Sequence, residues 1–285
     1  MNDIRCVGVL GSGIMGSGLA EVAARAGFEV IVRSRSRPSA DEMVIGLAKS
    51  LSKQVERGKL EPAERDAALA RVTATDELGA LSDCDLIIES VVEDLSVKKQ
   101  LFADLDAVVK PEAIFATNTS TLAVVELAMM TKRPEAVCGI HFFNPATAMK
   151  LVEIVRPLTA SDETIAAAHA FAAACGKESV EVKDQAGFIV NALLFPYLNN
   201  AVRMAEQGTA SVADIDAAMQ GGCNFPMGPF ALLDLVGLDT SLAILDALYD
   251  EFRDHNYSAV PTLRRMVSAG RLGRKSGRGF FEYAR

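Results

Sequence analysis

The sequence predicts an α/β fold, an open doubly wound sheet followed by an all-helical C-terminal domain. Three observations carry this expectation. A glycine-rich turn sits between an apolar strand and a helix at the N-terminus, strands alternate with helices as far as residue 182, and strand signals fade from about residue 187 onward.

Residues 5–10, Arg-Cys-Val-Gly-Val-Leu, form a short apolar run suited to a buried parallel strand. Gly11-Ser12-Gly13-Ile14-Met15-Gly16 follows at once. Residues 17–26 then show helical apolar spacing, Gly27 closes the helix, and a second strand over Glu29–Val32 completes a βαβ unit. The glycines have separate tasks: a tight turn, room for a pyrophosphate against the backbone, and close packing of helix on strand. A GxGxxG alone is weak evidence, but its place between strand and helix makes a nucleotide site the expectation.

A helix is predicted over Asp41–Arg57, where Lys49, Lys53 and Arg57 recur every four residues and share one face. Strands follow at Leu86–Val92, Ala113–Ala116, Val137–Ile140, Leu151–Val155 and Val180–Val182, with helices including Val97–Val109 and Ile165–Ala174 between them. Beyond them the chain reads as helices broken at Gly221-Gly222 and Gly228-Pro229. The boundary falls near Asp184 to Gly187, dividing the chain into domains 1–185 and 186–285. There is no internal repeat or low-complexity tract.

At 285 residues, half of them hydrophobic, the chain is long enough for two domains and a sizeable core. A net charge of -8 argues against a general nucleic-acid surface while permitting local basic patches for phosphorylated ligands. Cys6, Cys84, Cys138, Cys175 and Cys223 are scattered and mostly in apolar surroundings, so they read as reduced core thiols with neither CxxC spacing nor a disulfide framework. Met1-Asn2-Asp3-Ile4-Arg5 leads straight into a strand and leaves no room for a signal or transit peptide. No apolar run is long enough to span a membrane. Together these features predict a cytoplasmic enzyme.

Of three histidines, only His141 sits among chemically useful neighbours. It lies in Gly139-Ile140-His141-Phe142-Phe143-Asn144-Pro145, preceded by Asn118-Thr119-Ser120 and followed by Glu153. This gathers a base, an orienting acid and neutral hydrogen-bonding groups. Each member has a bland reading too. A histidine beside aromatic residues is often structural, Glu153 could be a surface carboxylate at a strand end, and Ser120 could be a helix cap, as could Asn191 farther along the chain.

With these motifs in view, the chain resembles the 3-hydroxyacyl-CoA dehydrogenase family, and within it the short single-function 3-hydroxybutyryl-CoA dehydrogenases. The resemblance covers nearly the whole chain. It rests on the stretches 11–18 (GSGIMGSG), 89–94 (ESVVED), 118–120 (NTS), 141–145 (HFFNP), 187–191 (GFIVN), 226–229 (PMGP) and 272–281 (LGRKSGRGFF), in that order. It implies a Rossmann-like N-terminal domain and a helical domain that carries a homodimer contact. It also implies reversible hydride transfer between a nicotinamide and the C3 hydroxyl of a short-chain 3-hydroxyacyl-CoA, interconverting acetoacetyl-CoA and 3-hydroxybutyryl-CoA.

By the same resemblance His141 is the base, Glu153 orients it, and Ser120 and Asn191 hydrogen-bond the reacting oxygen. Gly11, Gly13, Ile14, Met15, Gly16, Ser34, Arg35, Glu93, Lys98, Asn118, Asn144 and Lys275 are implied to meet the cofactor, Asn144 by positioning the nicotinamide or the His141 loop. Lys53 and Arg57 are implied to meet the CoA phosphates; read without the family, their helix face is as readily a solvated cationic surface. No metal is required. Phe225 departs from the family, which usually has histidine before the proline at position 226, and this puts the local shape of the acyl pocket in question. Relatives acting on non-CoA hydroxy acids or carnitine leave the substrate open, and a catalytically silent nucleotide sensor is the alternative of a different class.

One departure concerns the cofactor. NAD-binding units of this type carry an acid at the end of the second strand, where it accepts hydrogen bonds from the adenosine ribose. Here that position is Ser34, within Val32-Arg33-Ser34-Arg35-Ser36-Arg37. A missing carboxylate with three guanidinium groups around the gap predicts NADP(H) over NAD(H), because the planar fork of arginine suits a phosphate. The alternative is a basic exposed loop on an enzyme that still uses NAD.

Overall fold

The apolar run Cys6–Leu10 forms β1, and all but its first residue are buried. In the computed structural model, which describes residues 4–283, this strand lies inside an eight-stranded sheet. Met1-Asn2-Asp3, part of the segment read as excluding a targeting peptide, lies outside the described residues.

After β1 come α1 (Ile14–Arg25), β2 (Glu29–Arg33), α2 (Arg37–Glu56), α3 (Pro62–Ala70), β3 (Val72–Thr75), β4 (Leu86–Glu89) and α4 (Leu95–Val108). Then follow β5 (Ile114–Thr117), α5 (Val124–Ala128), β6 (Val137–Phe142), β7 (Leu151–Arg156), α6 (Asp162–Ala174) and β8 (Glu178–Lys183). The strands are ordered β3-β2-β1-β4-β5-β6-β7-β8. Strands β1 to β6 pair in parallel, and the winding reverses between β1 and β4, which opens a crevice at the carboxyl ends of the strands.

The doubly wound expectation holds as far as β6, but β7 runs antiparallel to it, with β8 parallel to β7. The reason is chain length. Parallel neighbours need a crossover of a dozen or more residues, and the link 143–150 is shorter than that. Neither α3 nor β3 is among the elements predicted from sequence. Helix α3 is marked by Pro62 in its first turn and by Glu64, whose carboxylate accepts the Glu61 N–H at 2.9 Å, whereas β3 has only four residues, two of them threonines.

Strand β4 ends at Glu89, three residues earlier than its apolar run, because the Glu89 carboxylate accepts the Val91 N–H at 2.6 Å and turns the chain out of the ladder. Asp94 then caps α4, accepting from the N–H groups of Ser96 and Val97 at 2.9 and 3.0 Å. Helix α2 buries Ala40, Met43, Leu47 and Leu51, a three-to-four spacing that seats one stripe on the sheet. Met43, Leu47 and Leu51 join Val7, Val9, Leu19, Val30 and Ile88 in the core of this unit.

The chain divides into two compact units between Asp184 and Gln185. The second contains α7 (Val190–Glu206), α8 (Val212–Cys223), α9 (Pro229–Val236), α10 (Leu238–Phe252) and α11 (Pro261–Ser268). Its core gathers Phe195, Leu198, Phe230, Leu233, Leu245, Leu248 and Leu263. Buried polar side chains fasten the helices to one another. Asp216 accepts the N–H groups of Phe230 and Ala231 at the start of α9, Asn199 bridges Ser258 and Val260, and Asp234 takes the N–H groups of Phe280 and Phe281.

The predicted break at Gly221-Gly222 is corrected: α8 runs through both glycines and stops only where Asn224 adopts a left-handed conformation at φ 55°. Glycine weakens a helix without removing its hydrogen bonds, so the left-handed cap sets the end. The break at Gly228-Pro229 is present as the start of α9.

All five cysteines are free thiols. Cys84 and Cys138 are buried, and desolvation pushes Cys138 and Cys175 up to about 12. Cys223, at the exposed end of α8, is not a core thiol, and Cys6 and Cys84 meet with their sulfurs 3.5 Å apart. Among the described residues no helix is long and apolar enough to cross a membrane.

Candidate active site

His141 is carried by β6 and Glu153 by β7, and the antiparallel register makes them direct partners. Both side chains therefore leave the sheet on the same face. His141 Nδ1 lies 2.7 Å from Glu153 Oε2, and Nε2 lies 3.1 Å from Ser120 Oγ. A carboxylate can only accept, so Nδ1 carries the ring proton. Nε2 of the neutral ring is then the acceptor and the Ser120 hydroxyl donates to it. Histidine and glutamate are both buried, and the Phe143 ring packs 4.7 Å from the imidazole. The pair sits where water screens it little, which strengthens the hold of Glu153 on a protonated ring.

Ser120 is placed by the turn after β5. Its N–H donates to Glu93 Oε1 at 3.1 Å, and the Thr119 hydroxyl donates to the same oxygen. Asn118 ties three strands together: its N–H donates to the Glu89 carbonyl at 2.8 Å, and its Oδ1 accepts the Phe142 N–H at 2.8 Å. Lys98 lies between Glu89 and Glu93, with Nζ 2.7 and 3.1 Å from their carboxylates. Its side chain is 1% exposed, whereas that of Glu93 is 42% exposed, so Glu93 is the member of this group that faces outward.

Glu89 and Thr119 lie within the stretches 89–94 and 118–120 with no role expected of them, and Thr117 lies in neither. The signal in the sequence is a charge ending the otherwise apolar strand Leu86-Ile87-Ile88-Glu89.

A cavity of about 770 Å³ opens at the winding reversal. Gly11, Ser12 and Gly13 line it with Arg33, Ser34 and Arg35 from the end of β2, Ser90-Val91-Val92 from the end of β4, and Ser96, Val97, Gln100, Leu101 and Asp104 from α4. The glycine turn is shaped for a dinucleotide. Gly11 has φ +117°, and a Cβ there would fall 2.2 Å from the Ser90 carbonyl oxygen; a Cβ on Gly16 would fall 2.0 Å from the Gly11 carbonyl oxygen. The N-terminus of α1 has no side-chain cap and no acid in its first turn, so its N–H groups and dipole face an opening suited to a pyrophosphate. Ile14 is 77% exposed at this entrance, and Met15 packs against the core.

At the second strand's end, Ser34 is buried and its hydroxyl donates to Ser12 Oγ at 3.1 Å. Arg33 and Arg35 line the cavity, with Arg33 Nε also donating to the Asp76 carbonyl at 3.2 Å. The expected ring of three guanidinium groups is corrected to two. Arg37 begins α2, where its Nε pairs with Asp41 at 2.8 Å and is drawn along the helix.

On α2, Lys49 and Lys53 line a shallow hollow of about 430 Å³ with Ile45, Ala48, Ser52 and Glu56. Arg57 follows the helix as its C-cap, directly after Glu56. Asn144 is exposed beyond β6. In the second unit, Asn191 is buried in the first turn of α7, and Lys275 pairs with Asp239 at 2.7 Å.

Residues 6–185 match the 3-hydroxyacyl-CoA dehydrogenase NAD binding domain, and residues 187–283 match the C-terminal domain of the same family. The chain is 48% identical to a 3-hydroxybutyryl-CoA dehydrogenase of Mycobacterium tuberculosis, over 99% of this chain and 100% of that protein. It is 39% identical to the mitochondrial hydroxyacyl-coenzyme A dehydrogenase of Sus scrofa, over 98% of this chain and 91% of the other. The crystal structure of (S)-3-hydroxybutyryl-CoA dehydrogenase PaaH1 from Ralstonia eutropha superposes with a TM-score of 0.97 at 40% identity, covering 99% of this chain and 100% of that one. Matched in both domains and along its whole length, this chain belongs to the 3-hydroxyacyl-CoA dehydrogenase family and is an oxidoreductase with a nicotinamide-dinucleotide-binding domain.

Proposed function

We propose that the protein interconverts acetoacetyl-CoA and 3-hydroxybutyryl-CoA with NADP(H) as the preferred cofactor. The observation that carries the chemistry is the hydrogen-bonded chain Ser120–His141–Glu153, its histidine and glutamate buried, in which Nε2 is the proton-accepting nitrogen. When bound, the nicotinamide exchanges the hydride with C3 of the substrate. His141 Nε2 takes the hydroxyl proton during oxidation and returns it to the carbonyl oxygen during reduction. Glu153 keeps the ring in the required tautomer and stabilises the imidazolium by its negative charge. The Ser120 hydroxyl, already on Nε2, is placed to share the reacting oxygen and hold it in line with the base.

Cofactor contacts are assigned to the glycine turn, to Glu93 on its exposed side, to Lys98 behind it, and to Asn118 and Asn144. The roles of Asn191 and Lys275 rest on the motif resemblance. Preference for the 2'-phosphate is supported by Ser34 in place of an acid and by Arg33 and Arg35 on the cavity wall. Lys53 is proposed to meet the CoA phosphates, with Arg57 beyond the helix end. Exposed Leu193 and Met204 on α7 and Leu235 on α9 support a homodimer, which light scattering at micromolar protein would test. The free thiols favour a cytoplasmic setting.

The deciding experiment follows oxidation of each reduced nicotinamide with acetoacetyl-CoA and with longer acyl chains, free acetoacetate and dehydrocarnitine. Turnover only on the substrates lacking CoA would overturn the substrate assignment. Cofactor binding without turnover on any of them would make the protein a nucleotide sensor.

A further inference from the structure

We propose that Glu89 is a positioning residue for the reaction, acting through Lys98 and Glu93 to hold Ser120 against His141. The inference rests on the reading of His141 as the base.

Glu89 is fully buried at the end of β4, after three apolar residues of the same strand. A carboxylate in such a place costs several kcal/mol of desolvation and persists only when its oxygens are well partnered. Here they are. Oε1 accepts from the Val91 N–H at 2.6 Å and from Lys98 Nζ at 2.7 Å, and Oε2 accepts from the Thr117 hydroxyl at 2.7 Å. An apolar residue could close this strand at lower cost, so packing does not account for the charge.

Its partners point toward the site. The Lys98 ammonium is shared with Glu93 Oε2 at 3.1 Å, Glu93 Oε1 holds the Ser120 N–H, and Ser120 Oγ holds His141 Nε2. An unbroken series of contacts therefore runs from the buried end of β4 to the imidazole. Two carboxylates share one ammonium. Neutralising Glu89 would leave the whole attraction of Lys98 on Glu93, drawing that carboxylate toward the lysine and away from the Ser120 N–H. The hydroxyl of Ser120 would then lose its fixed approach to the base, and displacements of about 1 Å near reacting atoms can cost on the order of 100-fold in rate.

Glu89→Gln keeps the side chain's size and its capacity to bond Val91 and Thr117 while removing the charge. The expected result is a fall in kcat of about 10- to 100-fold with KM for acetoacetyl-CoA changed by less than about threefold. Glu89→Asp, which restores the charge, should recover part of the rate. The decisive readout is a double-mutant cycle with Ser120→Ala. If Glu89 acts through Ser120, adding Glu89→Gln to Ser120→Ala lowers kcat by less than about twofold.

A Glu89→Gln enzyme with more than half the normal kcat, or one that loses the same factor in both backgrounds, would overturn the proposal in favour of a purely structural or cofactor-directed role. If thermal unfolding shows that Glu89→Gln does not fold, Lys98→Gln, which removes the ammonium linking the two carboxylates, goes through the same cycle under the same criteria. His141→Ala is the control that separates the two readings. Turnover surviving in that variant removes the base assignment itself, whereas an inactive His141→Ala beside an additive cycle removes only the role given to Glu89.

Discussion

His141 on β6 and Glu153 on β7 are direct partners across the antiparallel ladder of the sheet, with Nδ1 2.7 Å from Oε2. The reversal of one strand is what brings the imidazole and the carboxylate together. Had β7 continued the parallel winding, a crossover helix would have replaced the short link after β6, and the two residues would not share this register. Both are held by ladder hydrogen bonds on rigid strands, so their alignment needs no adjustment of a loop.

His141→Ala is expected to lower kcat by about 100- to 10,000-fold while leaving cofactor affinity nearly unchanged, since the group acts in proton transfer. Steady-state rates with a fluorescence titration of reduced cofactor check both halves, and retention of more than about a third of kcat would refute the role. Glu153→Gln should lower kcat as well. The amide can still accept from Nδ1 but brings no charge to stabilise the imidazolium.

The cofactor preference should reverse with two substitutions at the end of β2. Ser34→Asp places a carboxylate beside Ser12, and Arg35→Ala removes a cation from the cavity wall. Measured as kcat/KM at fixed acetoacetyl-CoA, the parent protein should favour NADPH and the double variant NADH. Equal values or an NADH preference in the parent would return the basic segment to an exposed loop without a role.

On α2, Lys53→Ala and Arg57→Ala should raise KM for acetoacetyl-CoA more than they lower kcat, because distant phosphate contacts contribute mainly uniform binding. The larger share should fall on Lys53, which lines the hollow on the helix, whereas Arg57 lies past its end. An unchanged KM in the double variant would leave this face as a solvated cationic surface.

Gly16→Ala tests the turn directly. The new Cβ would fall 2.0 Å from the Gly11 carbonyl oxygen, and that neighbour is backbone, so α1 or the turn must move. Overpacking of this kind costs about 1–3 kcal/mol, and because the shift occurs where the dinucleotide sits, its Kd should rise by roughly tenfold or more. Calorimetric titration with the cofactor reads the effect, and an unaltered Kd would contradict the placement.

A pH-dependent contribution is expected at Asp85, just before β4. Burial raises its pKa, but the Lys110 ammonium and the N–H groups of Cys6 and Arg5 outweigh that and hold it below the ordinary value of 3.8. A carboxylate lowered on folding stabilises the protein above its unfolded pKa, and that stabilisation is lost as pH falls through the folded value. The Tm gap between the parent and Asp85→Asn should therefore be widest above about pH 4 and close at lower pH. A gap that stayed constant into acid would show that Asp85 contributes through shape alone.

The sequence by itself determined the α/β class, the glycine turn and the helical second half, because these follow from local periodicity and from backbone requirements written into single residues. Gly11 is legible in this way: the first glycine of a tight turn between strand and helix marks a backbone that other residues avoid, and it has φ +117°. The set His141, Glu153 and Ser120 was legible only as a motif, since a base, an acid and a hydroxyl far apart in the chain have no local signature of contact. Tertiary structure decided the rest. It reversed β7 because the link from β6 is too short for a crossover, turned Arg37 onto Asp41 and left two guanidinium groups at the cavity. It also buried Glu89 and Lys98 together, nine residues apart on a strand and a helix. A charge at the end of an apolar strand can face water or the interior, and only the packing of α4 over the sheet settles which.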